Sequence, residues 1–334
     1  MSERLIQTTR ALCLSAALLI PSNANSAGWE SLPPLPEPNG GFVCGAHGSR
    51  IVIVGGTSWE GGTKNWLRAV QAYDPAKKKW EKVEDFPEGP IAYGVAFQKT
   101  GTDGTKDFTF AGGSNGSQTL KILGGVETKT VSISELPDTL VLSAGGVIDG
   151  TRLIVGGTND AANIAGSQRS ACSFAIINYR WSVKKLPDYP GRPFCVAASA
   201  VAGDELFVFG GANWDASAGA VINANEAHAF SLRTNTWRKL KPLPFAVRGL
   251  TGVALDHKRI YLAGGYKSDP EGFTDDALIY DVKSDSYSPA KPLPYAAMVG
   301  LVALDGFVYC IGGEDKQKHR TDKFFRIKLG ELTP

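Results

Sequence analysis

The sequence lacks the short motifs that identify many metal, redox and phosphate sites. No Cys-x-x-Cys pair is present, so neither a zinc site nor a thioredoxin-like redox site is indicated. A phosphate-binding Gly-Lys-Ser/Thr loop and a His-Glu-x-x-His metal helix are absent as well. We therefore expect the protein to work without a metal ion or an organic cofactor.

An excess of charge of one sign is also missing. The 334 residues include 35 Lys and Arg against 33 Asp and Glu, a net charge of +2. The basic residues are scattered rather than clustered, and this pattern argues against nucleic acid as a partner. With 43% hydrophobic and 20% charged residues, the composition is typical of a globular protein with a substantial core.

Cysteines are few and far apart. Cys13 lies close to the N-terminus, and Cys44, Cys172, Cys195 and Cys310 each lie inside an apolar run that is typical of a strand. In such runs cysteine usually serves as a small buried hydrophobic residue. Their spacing leaves open whether a disulfide forms.

The apolar run near the N-terminus, 11–20, is too short for a membrane-spanning helix, which needs about 20 residues. Arginines precede this run and small residues follow it, which is the layout of a secretory signal peptide. We predict a signal peptide over residues 1–27 and a mature single domain over 28–334. The mature chain would be periplasmic or secreted and not inserted in a membrane; an uncleaved anchor is the alternative.

Six segments share an apolar run that ends in two glycines. They are "RIVIVGGTS", "DFTFAGGSN", "RLIVGGTND", "LFVFGGANW", "IYLAGGYKS" and "VYCIGGEDK". Their first glycines are separated by 57, 44, 54, 54 and 48 residues, so the repeat is about fifty residues long. Each copy should therefore be one structural unit of a repeat architecture.

Each repeat has further parts in a fixed order. A strand of small residues precedes the Gly-Gly pair, a strand ending in an aromatic follows it, and Leu-Pro or Phe-Pro closes the copy. Short strands bounded by Gly, Pro, Asn and Asp predict a four-stranded antiparallel sheet. This pattern resembles the Kelch repeat, which forms one blade of a β-propeller. The glycines would let inner strands of neighbouring blades converge, and Trp80, Trp181 and Trp237 would fill the wider gaps.

The last repeat lacks its outer strand, and "WESLPPLP" near the start of the mature chain matches "WRKLKPLP" of the fourth repeat. Supplying the missing strand from the N-terminal side would leave no long unpaired strand edge. We predict an all-β fold, a six-bladed Kelch-type β-propeller closed by an N-terminal outer strand. A two-sheet sandwich is the alternative.

Two sets of loops would share one face of this propeller, and function usually lies on loops that a rigid scaffold supports. The loops entering the inner strands contain Asn39, Tyr93, Leu142, Arg192, Arg248 and Met298. The loops after the glycines contain Thr57, Trp59, Ser114, Asn115, Asn159, Asp160, Asn213, Trp214, Tyr266, Lys267, Glu314 and Asp315.

These residue types suit a sugar, because amides and charged groups bind hydroxyls and aromatic faces pack on the ring. The residues predicted to contact a substrate are Asn39, Trp59, Tyr93, Asn213, Arg192 and Arg248. Arg192 and Arg248 are assigned to equivalent positions of consecutive blades, and a guanidinium fork suits a carboxylate. Alternatively, these polar loop residues merely face water.

The last repeat differs from the others because an acid directly follows its glycines. The stretch "GGEDKQKHRTD" resembles the Gly-Glu-five residues-Arg-Thr-Asp motif of the bacterial N-acetylneuraminate (sialic acid) epimerases, periplasmic six-bladed Kelch mutarotases. The resemblance implies that Glu314 is the proton acceptor and that Arg320 is part of the site. The motif lies mid-chain in that family and in the last repeat here, which implies a cyclically permuted order of blades.

These features predict an exported isomerase that interconverts the anomers of N-acetylneuraminate or a similar small acidic sugar by general acid/base catalysis. Glu314 would be the general base, and Arg320 would orient it or hold the sugar's carboxylate. One alternative is a non-catalytic Kelch propeller that binds a glycan or a protein, and another is a cell-envelope scaffold. Copper-radical galactose oxidases are also Kelch propellers, but their Tyr-His dipeptide is absent here.

Overall fold

The computed structural model describes residues 28–101, 104–114, 119–124, 127–133, 136, 140–177 and 180–333. The predicted signal peptide, 1–27, lies outside these ranges. Regular structure within them consists of β-strands and two single-turn 3-10 helices, Ile164–Gly166 and Leu329–Glu331. Neither helix in the described ranges is long and apolar enough to cross a membrane.

Six four-stranded antiparallel sheets are present in the described residues, and we number them in chain order. The first strand, β1 (Glu30–Ser31), belongs to sheet 6. Sheet 1 contains β2 (Val43–His47), β3 (Arg50–Glu60), β4 (Thr63–Asp74) and β5 (Lys79–Asp85). Sheet 2 contains β6 (Val95–Thr100), β7 (Lys106–Ala111), β8 (Thr119–Gly124) and β9 (Glu127–Ser132). Sheet 3 contains β10 (Ala144–Ile148), β11 (Thr151–Val155), β12 (Ala171–Ile177) and β13 (Arg180–Leu186).

The later sheets include short hairpins. Sheet 4 contains β14 (Ala198–Ala202) and β15 (Glu205–Phe209), then after the hairpin β16 (Ala212–Asp215) and β17 (Ala220–Asn223) it continues with β18 (Ala227–Ser231) and β19 (Thr236–Lys239). Sheet 5 contains β20 (Thr251–Ala254) and β21 (Arg259–Ala263), then after the hairpin β22 (Tyr266–Ser268) and β23 (Gly272–Phe273) it continues with β24 (Ala277–Asp281) and β25 (Ser286–Pro289). Sheet 6 contains β26 (Met298–Leu304), β27 (Phe307–Glu314), β28 (Phe324–Lys328) and β1.

The sheets form a closed ring. The inner strand of each sheet contacts the inner strand of the next, and β26 contacts β2. In addition, the amide of the second glycine in each Gly-Gly pair donates to a carbonyl in the loop entering the next sheet, at 2.7–3.0 Å. The donor and acceptor pairs are Gly56 and Ile91, Gly113 and Leu140, Gly157 and Phe194, Gly211 and Val247, Gly265 and Ala297, and Gly313 and Asn39. The predicted all-β propeller is therefore confirmed.

The first strand completes the last sheet. In β1, Glu30 lies opposite Arg326 and Ser31 opposite Phe325 of β28. The regular strand is shorter than the matching segment in the sequence, but the amides of Leu32 and Leu35 continue the pairing by donating to the carbonyls of Phe324 and Asp322. Sheet 6 is thus built from both ends of the described chain.

The second strand of each sheet is buried on both faces. Residues 51–54 of β3 and 206–209 of β15 are 2% exposed or less. Because each sheet packs between two neighbours, these strands are continuously apolar rather than alternating.

The Gly-Gly pairs have a different role from the one that the sequence predicts. Both glycines of every pair have positive φ, a conformation that other residues rarely adopt. A Cβ at Gly55 would lie 1.9 Å from the carbonyl oxygen of Ile91, in the loop entering the next sheet. Close approach of inner strands falls at other glycines, such as Gly45, where a Cβ would lie 2.3 Å from the ring of Phe108. The pairs therefore shape and join the loops rather than the inner strands.

The aromatic residues predicted to fill gaps between sheets do so. Trp80 of sheet 1 packs against Phe324 of sheet 6, and its indole N–H donates to the carbonyl of Pro33 at 3.2 Å. Trp237 of sheet 4 likewise donates to Pro187 at 2.9 Å, and Trp181 packs into the cluster between sheets 2 and 3. The indoles thus fasten the outer parts of neighbouring sheets as well as filling space.

The four cysteines after residue 28 are free thiols. Cys172, Cys195 and Cys310 are buried and Cys44 is half-buried, in line with a packing role. Burial raises the pKa of the Cys44, Cys172 and Cys310 thiols to about 12, so they remain protonated at neutral pH.

Candidate functional site

A cavity of about 230 Å³ lies where the loops entering the inner strands meet the sixth Gly-Gly loop. Its wall includes Tyr93, Leu142 and Met298 from the entering loops, together with Glu314 and Arg320. A larger space of about 430 Å³ continues along the inner strands. Among the described residues, Glu314 and Arg320 are the charged groups that line the smaller cavity.

Five of the entering loops contribute one left-handed residue each to the rim of this cavity. The residues are Gly41, Tyr93, Leu142, Val196 and Gly249, with φ between 58° and 71°. These residues are joined by backbone hydrogen bonds of 2.7–2.9 Å, in which each amide donates to the carbonyl of the residue before it in the series. The donor and acceptor pairs are Tyr93 and Gly41, Leu142 and Tyr93, Val196 and Leu142, and Gly249 and Val196. The series forms an arc of backbone hydrogen bonds, which explains why even the bulky residues Leu142 and Val196 adopt this conformation.

Sheet 6 interrupts the arc because its inner strand is one residue shorter at this point. Met298 lies opposite Glu314, and only two residues later Gly300 lies opposite Ile311. In sheet 5 the corresponding step is three residues on both strands. No residue between Met298 and Gly300 has positive φ, so the carboxylate of Glu314 lies at the break in the arc.

Glu314 and Arg320 form an ion pair in the wall of the cavity. The Nη1 of Arg320 lies 3.1 Å from the Oε2 of Glu314, and their side chains are 4% and 29% exposed respectively. Glu314 ends β27, and a tight turn in which Lys316 pairs with His319 brings the chain back to Arg320. The predicted six-residue spacing therefore places both groups side by side, with the carboxylate as the more accessible partner.

Arg320 is fixed from several sides. Its Nε donates to the Oγ1 of Thr57 at 3.2 Å, and its Nη1 donates to the carbonyl of His319 at 3.0 Å. Thr57 in turn is held by Asn39, whose Oδ1 accepts from the Thr57 amide at 3.1 Å. With its Nε and Nη1 committed in this way, Arg320 is suited to hold Glu314 in one orientation.

Tyr93 lies close to the same group. Its hydroxyl is 3.5 Å from the Oγ1 of Thr57, and the ammonium of Lys64 lies 4.8 Å from its ring centre. Burial opposes ionisation of the phenol, but its hydrogen bonds with Lys64 and Thr57 and the charges of Lys64 and Arg320 outweigh burial. The pKa of Tyr93 therefore lies below its ordinary value.

Sequence reasoning did not single out Lys64. It stands on β4 opposite Trp59, in a hairpin that extends β3 and β4 beyond the sheet. The two-residue turn Gly61-Gly62 between Glu60 and Thr63 is a recognisable hairpin sequence. Reading it as a hairpin would have placed Lys64 on the same loop face as Thr57.

The two arginines predicted at equivalent positions are not equivalent. Arg248 bridges Tyr266 after the glycines of sheet 5, whereas Cys195, not Arg192, occupies that place in sheet 4. Arg192 lies three residues earlier, half exposed, and pairs with Glu226 at 3.4 Å. This prediction was wrong because the inner strand begins six residues after Arg192, at Ala198, but only three residues after Arg248, at Thr251.

Arg248 is half-buried beside the cavity, next to Gly249 and Leu250 in its wall. Its described partners are neutral: the Oδ1 of Asn223 at 3.0 Å and the ring of Tyr266, whose centre lies 4.4 Å from the guanidinium carbon. Because neither of these partners is an anion, the guanidinium can still form an ion pair with an anionic ligand.

The remaining predicted contact residues lie outside the cavity wall. The buried Asn39 bonds to backbone groups of Gly55 and Thr57, which makes it a structural residue. Trp59 is half-buried on the β3–β4 hairpin, and Asn213 is half-buried on β16. Asn115 lies outside the described residues. Nearby hairpins expose Trp66 and Trp214, at 40% and 43%.

Metal chemistry has no obvious centre in the described ranges. They contain no group of three or more His, Cys, Asp and Glu residues arranged to hold a metal ion.

Comparison with known proteins gives a family-level result. Residues 38–87 match the Kelch motif. Kelch-like protein 35 of Mus musculus is 24% identical over 84% of this chain and 44% of its own length. Kelch-like protein 36 of Bos taurus is 25% identical over 82% of this chain and 43% of its own length.

A second kind of relative is the N-acetylneuraminate epimerase of Salmonella enteritidis, which is 26% identical over 43% of this chain and 46% of its own length. This chain thus spans less than half of the length of each of these relatives. Together with the sheet architecture, the matches show a Kelch-type β-propeller with distant homology both to Kelch-like proteins and to N-acetylneuraminate epimerases.

Proposed function

We propose that the protein is a mutarotase of a small acidic sugar, N-acetylneuraminate or a close analogue. The observation that carries this proposal is the Glu314–Arg320 pair in the cavity wall, at the spacing of the epimerase motif. The similarity to an N-acetylneuraminate epimerase supports it. The place of the motif in the last sheet would correspond to a cyclic permutation of the blades.

The chemistry needs a base that reaches into the cavity. Mutarotation opens the sugar ring by removing the proton of the anomeric hydroxyl while the ring oxygen gains one, and the reverse steps close the ring on either face. Glu314 is the accessible member of its ion pair and would accept the anomeric proton. Such general base catalysis accelerates a reaction by about 10²–10⁴-fold.

The two arginines would have separate roles. Arg320 is almost fully buried and is committed to Glu314, Thr57 and His319, so it would position the base. Arg248 has neutral described partners and would be the cation available to the carboxylate of the sugar. The motif implies that Arg320 either orients Glu314 or holds the carboxylate of the sugar, and we propose the first of these roles.

Proton NMR tests the proposal directly. Pure α-N-acetylneuraminate is added to the protein, and the exchange of anomers is followed over time. We expect clear acceleration over buffer, a loss of about 10²-fold or more in Glu314→Gln, and full activity in Glu271→Gln, a matched change at an exposed carboxylate of the sheet 5 hairpin. An exchange rate equal to that in buffer, or full activity in Glu314→Gln, would contradict the proposal.

A second candidate is a propeller that only binds a glycan or a protein. Exposed Trp66 and Trp214, on hairpins of sheets 1 and 4, are the observation that favours it, because solvent-exposed tryptophans are enriched in binding surfaces. This candidate predicts saturable binding without anomer exchange, and its loss in Trp66→Ala or Trp214→Ala.

Export of the protein remains part of the proposal. A periplasmic or secreted sugar mutarotase would act before uptake of the sugar. Cell fractionation with detection of the mature N-terminus tests it: processing after residue 26 or 27 is expected, and an unprocessed cytoplasmic protein would contradict it.

A further inference from the structure

Tyr93 shares the cavity wall with Glu314 and Arg320. Opening a sugar ring needs an acid as well as a base, because the ring oxygen must receive a proton. The guanidinium of Arg320 does not give up its proton in proteins. The hydroxyls of Ser143 and Thr251 also line the cavity, but an alcohol is a far weaker acid than a phenol.

The ring of Tyr93 is held in place before any ligand binds. It packs on Gly41, where a Cβ would lie 2.4 Å from the ring, and Trp66 packs against it edge-on with ring centres 5.9 Å apart. The backbone of Tyr93 is left-handed, φ 65°, and is fixed on both sides by the arc of hydrogen bonds. A group fixed in this way pays little for orientation during a reaction.

The surroundings of the phenol favour transfer of its proton. The ammonium of Lys64 on β4 lies 4.8 Å from the centre of its ring, and Arg320 reaches the same region through Thr57. Glu314 pairs with Arg320, so Lys64, Arg320 and Glu314 together carry a net charge of +1. Two cations against one paired carboxylate stabilise a phenolate, which agrees with the lowered pKa of Tyr93.

We propose that Tyr93 is the general acid of the reaction and that Lys64 is a positioning residue that stabilises the phenolate left behind. This inference rests on the proposed mutarotase function. As the bond between the anomeric carbon and the ring oxygen breaks, Glu314 takes the anomeric hydroxyl proton and Tyr93 gives its proton to the ring oxygen. The result is an open-chain carbonyl, a protonated Glu314 and a Tyr93 phenolate. Closure on the other face returns both protons.

Substitution of the phenol tests the catalytic role. In the NMR assay, Tyr93→Phe should lower kcat about 10²-fold and leave KM nearly unchanged, because one proton transfer is lost while the ring surface stays. The matched control is Tyr73→Phe, which removes a buried hydroxyl on β4 of sheet 1 that has no hydrogen-bond partner among the described residues and lies outside the cavity wall. It should retain the wild-type rate.

The pH dependence tests the role of Lys64. The rate should fall at alkaline pH as Tyr93 loses its proton. Lys64→Met should move this fall to higher pH, and Lys64→Arg should give the wild-type pH profile again. The ultraviolet absorbance of tyrosinate provides a readout that needs no activity: wild-type protein should show a tyrosine that ionises before the others, absent in Tyr93→Phe and later in Lys64→Met.

Each result decides between the claims. Full kcat in Tyr93→Phe with an active wild type would overturn this inference and leave the mutarotase function standing. The same holds if Lys64→Met shifts neither the pH profile nor the absorbance titration. A wild-type protein without activity would overturn both proposals together, whatever the titration shows.

Discussion

The sixth Gly-Gly loop, together with the loop that enters the inner strand of its sheet, differs from the other five in backbone conformation and in charge. In sheets 1–5 the loop entering the inner strand has a left-handed residue, and the residue after the glycines is neutral: Thr57, Ser114, Thr158, Ala212 or Tyr266. In sheet 6 the left-handed residue is absent, Met298 lies opposite Glu314, and Arg320 returns beside it. The repeated loops build the rim of the cavity, and the one exception supplies its charged groups. Architecture and chemistry are thus separable in this molecule, in agreement with the general rule that function lies in sites added to a fold.

The largest effect should come from breaking a loop that follows the common pattern. Gly265→Ala would place a Cβ 2.6 Å from Val247 and 2.8 Å from the carbonyl of Arg248, at φ 107°. We expect the free energy of unfolding to fall by about 2–4 kcal/mol in urea denaturation. Gly48→Ala, also at positive φ but with nothing within 4 Å, should cost only about 1 kcal/mol. Equal losses would show that backbone conformation alone requires these glycines.

A smaller effect on stability should follow when Glu314 is replaced by threonine, the residue that follows the glycines in sheets 1 and 3. Glu314→Thr leaves the buried Arg320 without its counter-charge, although the partial exposure of Glu314 lets water compensate. The expected loss is about 1–2 kcal/mol, together with loss of the proposed mutarotase activity. A double-mutant cycle with Arg320→Met isolates the ion pair, and additive losses would mean that the two groups do not interact.

Two equivalent threonines allow a comparison at about 1 kcal/mol. Thr57→Val removes the acceptor of the Arg320 Nε, and Thr158→Val removes a hydrogen bond to the carbonyl of Asn163 within its own loop. Each hydrogen bond lost should lower stability by about 1 kcal/mol, and Thr57→Val also loses the bond from its Oγ1 to the carbonyl of Gly40 at 3.0 Å. Only Thr57→Val should slow anomer exchange in the NMR assay, since only Thr57 supports Arg320. Equal rates in both variants would contradict the support role.

The smallest effect is expected in the turn between Glu314 and Arg320. Asp315 pairs with His319, whose side chain is 53% exposed. Asp315 itself is only 12% exposed. Because an amide can keep the hydrogen bond to the exposed imidazole, Asp315→Asn should change the free energy of unfolding by less than about 0.5 kcal/mol. The rate of anomer exchange should not change, and a marked loss would extend the charged site beyond Glu314 and Arg320.

The features that repeat could be predicted from the sequence. Six copies of a buried run ending in Gly-Gly fix the strand order within each copy, and the Trp and Leu-Pro positions indicate what lies between copies. The same periodicity exposes Glu314 as an irregular residue at a known place in the loop. The repeat pattern does not indicate its partner Arg320, which was predicted only from the resemblance to the epimerase motif.

Features that depend on loop length or on contacts between distant residues could not be predicted. The assignment of Arg192 failed because the loops that enter the inner strands differ in length. Nothing in the local sequence shows at which residue an inner strand begins. The contact of Thr57 with Arg320 joins residues 263 positions apart. The environment of Tyr93 includes Lys64, which reaches its ring because β3 and β4 remain paired beyond the sheet. The sequence does not show how far this pairing extends.

The contact between Thr57 and Arg320 also has a consequence for synthesis and quality control. The four strands of sheet 1 are made early, whereas sheet 6 is completed only when β28 has been made. Tyr93 and Lys64 belong to the early part of the chain, and Glu314 and Arg320 belong to the late part. A nascent chain can hold the early half of the site for the whole time of its translation without any activity. Catalysis would begin only when the ring has closed, so each active molecule is also a completely assembled one.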